Sequence, residues 1–507
     1  MKKTAILLIL ISIISKVIGF GREIILAYFY GASNISDAYI ISMTIPTVVF
    51  AFIGSAISTA FIPMYTKIEK HSGEGEANNY TNNLVNLLMI VSTIIVFLGL
   101  IFTKQIVFIF ASGFEGETLA LAIRFTRVSL LGIYFTSLVY VFNSFLQIKG
   151  NYVTPALIGF PMNIIIVLSI ILSYYTSVIL LAVGVVLSVL AQFVFLIPSI
   201  YKKSFRYKKI IDIKNPQIKN MMYLALPVIL GVAVNDINVI VDRTIASQLA
   251  TGGISALNYA QRLNGFVQGI IVVSISTAMY PLISKMAVEN KYKDLKKTLS
   301  EAIVGTSMLI MPCTLGAMIF STPIIETLFG RGAFDTQAIE MTSNALFFYA
   351  LGMTGIGLRQ ILSRPFYSMQ DTKTPVINAS IGMVINIFLN IILSRYLGIG
   401  GLALATSISA TITALLLFIS LRRKIGPFGM KQISISFLKV LFSSMVMGLA
   451  SKISFNYLTN ISTQNASLLM AIFIGAISYF VVIYFMKIEE VDVLVASLKK
   501  KLGRGVA

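Results

Sequence analysis

The sequence is poor in the residues that build catalytic and metal sites. It has one cysteine, Cys313, which excludes an intrachain disulfide and a thiolate metal cluster, and one histidine, His71, in a polar stretch. It has no tryptophan, so tyrosine and phenylalanine must supply the aromatic residues of any membrane interface. No zinc cluster, phosphate-binding glycine loop or Ser-His-Asp set can be assembled. We therefore expect neither an enzyme nor a resident cofactor or metal.

Charged residues are also scarce, at 12% of the 507 residues against about 25% in soluble proteins. The formal net charge is nevertheless +20, because 40 lysines and arginines outnumber 20 acidic residues. In a soluble protein this excess would indicate a nucleic-acid partner. Here most of the cations lie in short loops between apolar runs, so we expect no nucleic acid. Together with 57% hydrophobic residues, the pattern indicates an all-α polytopic membrane protein.

Long apolar runs predict about fourteen transmembrane helices. The first run imitates a secretory signal, but it continues through Lys16 and Arg22 with no convincing cleavage site, and we interpret it as a retained helix. The most basic loops follow spans two, six, eight and twelve, and all lie on one side if both termini are cytoplasmic. The approximate spans are 5–30, 35–65, 82–103, 118–147, 153–174, 177–200, 218–249, 254–285, 298–320, 337–369, 374–397, 400–421, 433–458 and 467–486.

A weak internal repeat divides the chain at an offset of 218–220 residues. The matching segments are Ile57–Ala60 with Ile275–Ala278, Pro63 with Pro281, and Thr154–Pro155 with Thr374–Pro375. Duplicated transporters place their substrate site where the two repeats meet. We therefore expect pseudo-symmetric lobes of six helices each. The expected parts are an N-terminal lobe, 1–203; a cytoplasmic linker, 204–217; a C-terminal lobe, 218–424; and two appended spans with a basic tail, 425–507.

Charges inside the predicted spans are the candidates for function, because each costs about 2.5–3.5 kcal/mol at the centre of a membrane helix. Basic residues predominate, which suits an anionic substrate, since arginine offers planar bidentate donors to phosphate. For Arg262 the alternative is an arginine that caps carbonyls of a neighbouring helix. The charges are Lys16, Arg22, Glu23, Asp37, Asp236, Asp242, Arg243, Arg262, Arg359 and Arg364.

The repeat also pairs charges of opposite sign. Lys16 aligns near Asp236, and Glu23 aligns near Arg243. Within each helix the two charged residues are seven positions apart and therefore lie on nearly the same face. We hypothesise that the two helices face each other and exchange ion pairs during transport. Static structural ion pairs are the alternative.

Asp37 and two residues outside the spans have both a functional and a structural interpretation. Asp37 begins span two, where an acid is ordinary as an N-cap or first-turn residue. Asp371 and Lys373 lie in the short turn before Pro375 and are either gate residues or part of a solvated turn.

Nine short segments carry the motifs of a known transporter family. They are Ser15–Glu23, Ser36–Tyr39, Ile45–Pro46, Ser58–Pro63, Asn258–Leu263, Arg331–Phe334, Leu362–Tyr367, Asp371–Pro375 and Gly400–Ser407. With them the chain resembles the MurJ/MviN-type lipid II flippases of the multidrug/oligosaccharidyl-lipid/polysaccharide exporter superfamily. The likeness runs from about residue 15 to residue 424, and the last two helices match only in number.

This resemblance implies fourteen helices in two lobes around a central cationic cavity in the bacterial cytoplasmic membrane. It implies that the substrate is lipid II, an undecaprenyl-pyrophosphate-linked peptidoglycan precursor that is moved from the inner to the outer leaflet. Lys16, Arg22 and Arg262 take the positions of the family's cavity arginines, and Glu23 and Asp37 take its acidic positions. A coupling ion and wall-synthesis enzymes stay open as further partners.

Three departures from the family pattern concern the substrate. Lys16 lacks the bidentate fork of arginine, Val48–Ala51 replaces an Arg-Arg pair, and Ile53–Ser55 replaces Ala-Glu-Gly. Asp242 and Arg243 in span seven are candidates to compensate. A flippase for another polyprenyl-linked glycan and a multidrug/cation antiporter therefore remain as alternatives.

Overall fold

The computed structural model describes residues 2–488, and within that range the side chains of all but residues 2–6, 56, 58, 224, 226–228, 230, 231 and 235. This part of the chain forms eighteen α-helices and one π-helical turn, Ile57–Phe61, and contains no strand. The expected all-α class is confirmed. The helices are α1 Lys2–Tyr30, α2 Asn34–Ala56, α3 Ile62–Ile101, α4 Thr103–Phe110, α5 Gly116–Ser129, α6 Gly132–Ile148, α7 Val153–Leu157, α8 Gly159–Tyr175, α9 Ile179–Lys202, α10 Pro216–Leu249, α11 Gly253–Val288, α12 Tyr292–Ile319, α13 Ser321–Phe329, α14 Thr336–Ser368, α15 Lys373–Leu397, α16 Ile399–Ile425, α17 Met430–Leu458 and α18 Gln464–Phe485.

Ten described helical segments are long and apolar enough to cross a membrane, or up to eleven if α5 and α6, bent by 44°, form one broken span. The longest segment runs over 68 residues from Asn34 to Ile101. Gly73, at φ 87° and ψ 169°, interrupts the helical geometry inside it. The chain is therefore a polytopic helical membrane protein, while the total of fourteen crossings stays a prediction.

Packing divides the chain into two compact units. The first contains the residues up to Ser255 together with Arg331–Asp335, and the second contains Ala256–Gly330 and the residues from Thr336 onward. Helix α10 belongs to the first unit because it packs against α2 and the π-helical turn. This division lies beyond the expected linker at 204–217, and the lobes inferred from the repeat stay a prediction.

Aromatic side chains form much of the core of the first unit. Phe61 and Tyr80 stack with their ring centroids 5.9 Å apart, and Tyr65 meets Phe145 edge-on at 5.7 Å. Phe205, which follows α9, packs on Phe145 at 5.5 Å. Each such pair contributes about 0.5–1.5 kcal/mol beyond the burial of its area. The core thus joins α3 and α6 to the start of the segment that connects α9 with α10.

Three asparagines of α3 hold that connecting segment. We call them the asparagine ladder; they are Asn82, Asn83 and Asn86. Asn82 accepts a hydrogen bond from the Lys208 N–H at 2.9 Å and donates to the Arg206 carbonyl at 3.1 Å. Asn83 accepts from the Asp212 N–H at 2.7 Å and donates to its carbonyl at 2.9 Å, and Asn86 donates to the Ile210 carbonyl at 2.9 Å. The asparagine side chains therefore satisfy backbone N–H and C=O groups of the connecting segment and hold it against α3.

Small residues bring α14 and α16 together in the second unit. A Cβ at Gly352 would lie 2.5 Å from the Ser407 Oγ, and a Cβ at Gly355 would lie 2.6 Å from the Thr411 Oγ1. The Ser407 hydroxyl donates to the Phe348 carbonyl at 2.6 Å. Close approach through glycine and serine is the usual way in which membrane helices associate. It explains why the segment Gly400–Ser407 is rich in small residues.

The repeated Thr-Pro sequence forms the same turn in both halves of the chain. The Thr154 N–H donates to the Asn151 Oδ1 at 3.2 Å, and the Thr374 N–H donates to the Asp371 Oδ1 at 3.0 Å. Each threonine hydroxyl also bonds the same side chain, at 2.9 and 2.8 Å respectively. These matching turns support the internal repeat.

Candidate functional site

Helix α1 carries a largely buried ion pair. Arg22 donates through Nη2 to the Glu23 Oε1 at 2.6 Å and through Nη1 to the Asn163 Oδ1 of α8 at 3.3 Å. Only 12% of the Arg22 side chain and 3% of the Glu23 side chain are exposed. Glu23 thus balances the charge of its neighbour in the same helix, and α8 orients the guanidinium. The exchange of ion pairs with α10 stays a hypothesis.

The other two expected substrate contacts are exposed. Lys16 of α1 and Arg262 of α11 both reach the surface of the chain, and Gln261 and Gly265 beside Arg262 are exposed as well. The three expected cations therefore differ in burial, because Arg22 is largely buried and the other two are exposed.

The carboxylate of Asp37 caps a helix other than its own. Asp37 is 1% exposed and accepts hydrogen bonds from the Gly252 N–H at 2.9 Å, the Ser255 N–H at 2.7 Å and the Ser255 hydroxyl at 2.7 Å. These donors lie at the first turn of α11, where backbone N–H groups have no intrahelical acceptor and the helix dipole favours an anion. Ser33 serves as the N-cap of α2. Asp37 therefore ties the start of α2 to the start of α11.

Arg243 of α10 binds the same turn. The residue is 7% exposed, and its guanidinium donates through Nη1 to the Ile254 carbonyl at 2.8 Å. Asp242 beside it is half-buried. At the next position of α10, the Thr244 hydroxyl donates to the Ile109 carbonyl at 2.6 Å. Residues of α10 thus hold the first turn of α11 on one side and the end of α4 on the other.

The segment Arg331–Asp335 docks against the end of α1. The Ala333 N–H donates to the Tyr28 carbonyl at 2.8 Å. Gly31 and Gly332 both have positive φ, at 58° and 66°. A Cβ on Gly31 would lie 2.2 Å from the Ala333 carbonyl oxygen, and one on Gly332 would lie 2.2 Å from the Tyr28 carbonyl oxygen. Both positions therefore require glycine for their conformation and for the close backbone approach.

Arg364 has two partners on α11. Its Nε donates to the Ser276 Oγ at 2.8 Å, and its guanidinium lies over the Tyr280 ring at 5.3 Å from the centroid. A cation over an aromatic face contributes about 0.5–2 kcal/mol. In this structure Arg364 joins α14 to α11 within the second unit, so a gating role would require it to leave both partners.

Asp371 caps the start of α15 and forms an ion pair with Lys424. Burial favours the neutral acid, but the Lys424 ammonium and the Thr374 N–H and hydroxyl outweigh it, so the pKa of Asp371 lies below its usual value. Lys373 is exposed. The turn is thus built by capping and charge pairing around Asp371.

Two charged residues in the helices lack ordinary partners. The Oδ2 atom of Asp236 in α10 is buried without a hydrogen bond to any described residue. Arg359 of α14 is half-buried and forms no ion pair or side-chain hydrogen bond with the described part of the chain. Because such charges are costly within a membrane, Asp236 and Arg359 stay candidate residues, as expected from their place in apolar runs. Among the described residues, no group of three or more His, Cys, Asp or Glu side chains could hold a metal ion.

Comparison with known proteins decides the family. A sequence model described as "Lipid II flippase MurJ" matches residues 26–490. The chain belongs to the MurJ family. It is 29% identical over 432 residues to the "Probable lipid II flippase MurJ" of Vibrio cholerae serotype O1, with 82% of each chain covered. The resemblance inferred from the motifs is therefore confirmed.

Solved structures agree with membership of the MurJ family. The structure titled "Lipid II flippase MurJ, inward closed conformation" matches with a TM-score of 0.82 and 29% identity, covering 94% of this chain and 98% of that one. An inward-facing multidrug resistance MATE family transporter of the MOP superfamily matches with a TM-score of 0.70 at 16% identity, covering 81% and 94%. The second likeness shows a shared fold and carries no argument about substrate.

Proposed function

We propose that this chain moves lipid II from the inner to the outer leaflet of the bacterial cytoplasmic membrane by alternating access, with both termini in the cytoplasm. The match to the MurJ family over residues 26–490 carries the proposal. The chemistry agrees, because the cations within the helices suit a diphosphate. The protein acts as a transporter and not as an enzyme.

The cationic contacts of the headgroup are Lys16, Arg22 and Arg262. The isoprenyl tail remains in lipid while the diphosphate and its sugars cross, so the protein must offset the dehydration of the anion with fixed positive charge. Arg22 is suited to this role because Glu23 and Asn163 hold its guanidinium in one orientation. Its remaining donors are then pre-oriented for phosphate oxygens.

The membrane potential favours the proposed direction. An inside-negative potential contributes about 2.3 kcal/mol for each negative charge moved outward per 100 mV. Charge on the headgroup therefore supplies a driving force for export without a nucleotide.

Asp37 acts as a latch on the outer side. With cytoplasmic termini, the turns after spans one and seven face outward, and the carboxylate of Asp37 joins these two turns through Gly252 and Ser255. Opening toward the outer leaflet would separate α2 from the first turn of α11. We therefore expect this cap to form and break once in each transport cycle.

The deciding experiment measures lipid II on each leaflet in cells depleted of their own flippase and complemented with this chain. The wild type is expected to restore outer-leaflet lipid II, and R22Q and R262Q are expected to reduce the rate at least tenfold, as loss of a charged hydrogen bond of about 1.5–3 kcal/mol predicts. R395Q, which removes an exposed arginine at the end of α15, is the matched control and should transport normally. Drug efflux without restored lipid II, or flipping of a different polyprenyl-linked glycan alone, would overturn the proposal.

A further inference from the structure

A basic pocket lies where α17 begins and the chain leaves α18. Its volume is about 480 Å³, within the range of small-molecule sites. We call it the α17 pocket. It is lined by Gly429, Met430, Lys431, Gln432, Ile435, Ser436, Lys439, Lys487 and Ile488. The orientation proposed above places it at the cytoplasmic face.

The lining carries three lysines and no acidic residue. Lys439 donates to the Lys487 carbonyl at 3.2 Å, and none of the three lysines forms an ion pair with a carboxylate in the described range 2–488. Lys296 lies beside Gly426, three residues before the first lining residue, since a Cβ on Gly426 would lie 3.3 Å from the Lys296 Nζ. The pocket therefore concentrates positive charge without internal compensation.

The start of α17 adds to this positive field. Gly429 is its N-cap, adopts a left-handed conformation and provides no side-chain hydrogen bond to the first turn. The first-turn N–H groups of a helix have no intrahelical acceptor, and the helix dipole favours an anion there. The pocket thus combines lysine ammonium groups with the positive end of a helix, which is the usual composition of a phosphate site.

The apolar side of the pocket continues along α17. Ile435 forms part of the wall, and it begins an exposed stripe with Leu438, Phe442, Met445 and Leu449 at helical spacing. On a membrane-spanning helix such a stripe faces the acyl chains of the bilayer, so the pocket lies beside them. An amphiphile would place its phosphate among the lysines and its acyl chains along the stripe.

We propose that the α17 pocket binds the phosphate headgroup of an anionic phospholipid from the cytoplasmic leaflet. Basic pockets between membrane helices on this side are suited to such headgroups, and each lysine near the surface strengthens binding about fivefold. The lipid is a resident ligand, separate from the transported substrate. It fixes the start of α17 against the residues that follow α18.

The test measures binding of phosphatidylglycerol to the purified full-length chain in nanodiscs of phosphatidylcholine. The wild type is expected to show one saturable site, and the triple variant K431Q/K439Q/K487Q is expected to bind about a hundredfold more weakly. The control triple K202Q/K203Q/K209Q removes the same charge from the end of α9 and the segment after it, outside the pocket. It should bind as the wild type does.

Two added arms distinguish the sources of the anion. Inorganic phosphate and glycerophosphoglycerol, which lack acyl chains, should not compete at millimolar concentration; effective competition would overturn the assignment to a lipid. Glu489 and Glu490 follow the pocket in sequence, outside the described residues. If E489Q/E490Q bound the lipid and the wild type did not, these two carboxylates would be the partners of the pocket lysines in the wild type. That result would also overturn the proposal. If both triple variants lost phosphatidylglycerol binding equally, the effect would come from general surface charge and the proposal would be wrong.

Discussion

Replacement of Asp37 by asparagine is expected to loosen the first turn of α11 while leaving the chain folded. The carboxylate accepts three hydrogen bonds of 2.7–2.9 Å in a site that is 1% exposed. Hydrogen bonds to a charged group contribute about 1.5–3 kcal/mol, and those between neutral groups about 0.5–1.5 kcal/mol. Asparagine keeps one acceptor oxygen, which can serve Ser255, but it presents its NH2 group to the Gly252 N–H, so one hydrogen bond is lost and the others lose their charge; we expect a cost of about 2 kcal/mol in total.

Hydrogen exchange measures this loss directly. The amides of Gly252 and Ser255 donate to Asp37, so a local loss of about 2 kcal/mol should speed their exchange about 30-fold in D37N. The variant D371N is a matched control, since Asp371 caps α15 through the Thr374 N–H. It should speed exchange at Thr374 and leave the first turn of α11 unchanged.

The reasoning fails if the first turn of α11 in D37N exchanges at the wild-type rate. It also fails if D37N speeds exchange throughout α11, because the carboxylate would then support the whole helix and not one turn. In a transport assay, D37N should favour the outward-open state, since the bonds that it weakens belong to the proposed outer latch. A substrate analogue offered from outside should therefore bind D37N better than the wild type.

Three further predictions concern other contacts. Conversion of the whole asparagine ladder to alanine should make the segment between α9 and α10 susceptible to limited proteolysis, because about 1 kcal/mol is lost with each hydrogen bond to its backbone; protection equal to the wild type would contradict this. G332A should lower the thermal midpoint more than G116A, because both glycines have positive φ but only a Cβ on Gly332 meets a carbonyl oxygen, at 2.2 Å. Because the pKa of Asp371 is lowered, its carboxylate stabilises the fold above its unfolded pKa of about 3.9 and loses this contribution as pH falls through the folded value. The stability difference between wild type and D371N should therefore be constant near neutral pH, begin to shrink below about pH 4 and disappear only below the lowered pKa of the folded state.

The sequence predicts the helical class well because the apolar runs of a membrane protein are determined locally by length and hydropathy. The kink at Gly73 and the turn at Thr374 also depend on residues close in sequence. The kink lies at the glycine itself, and the turn is capped by Asp371 three residues earlier. Contacts between distant segments are different. The partners of Asp37 lie 215 and 218 residues away, so the sequence identifies a first-turn acid but not the helix that it caps.

The partners of charged residues are equally hard to predict from the sequence. A lone arginine within an apolar run is a valid signal of function, yet the signal does not separate an arginine held by partners from one without them. Arg364 reaches Ser276 and Tyr280, whereas Arg359, five residues earlier on the same helix, has no comparable partner among the described residues. Only the packing of α14 against its neighbours shows that Arg364 has such partners and that Arg359 does not have them within the described range. Arg359 is therefore the better candidate for a substrate or ion contact, although the motif-based resemblance includes Arg364 and not Arg359.

The two Thr-Pro turns show which features the predicted repeats share. Asn151 and Asp371 cap their Thr-Pro turns with the same backbone geometry, so the cap depends on a side-chain oxygen and not on charge. The charges nearby differ, because Lys149 pairs with Glu69 and Glu74 at 2.6 and 2.7 Å, whereas Asp371 itself pairs with Lys424. The two turns therefore share a backbone cap and differ in their ion pairs. The predicted repeat accommodates this difference, because a substrate with one anionic end requires no electrostatic symmetry between two halves.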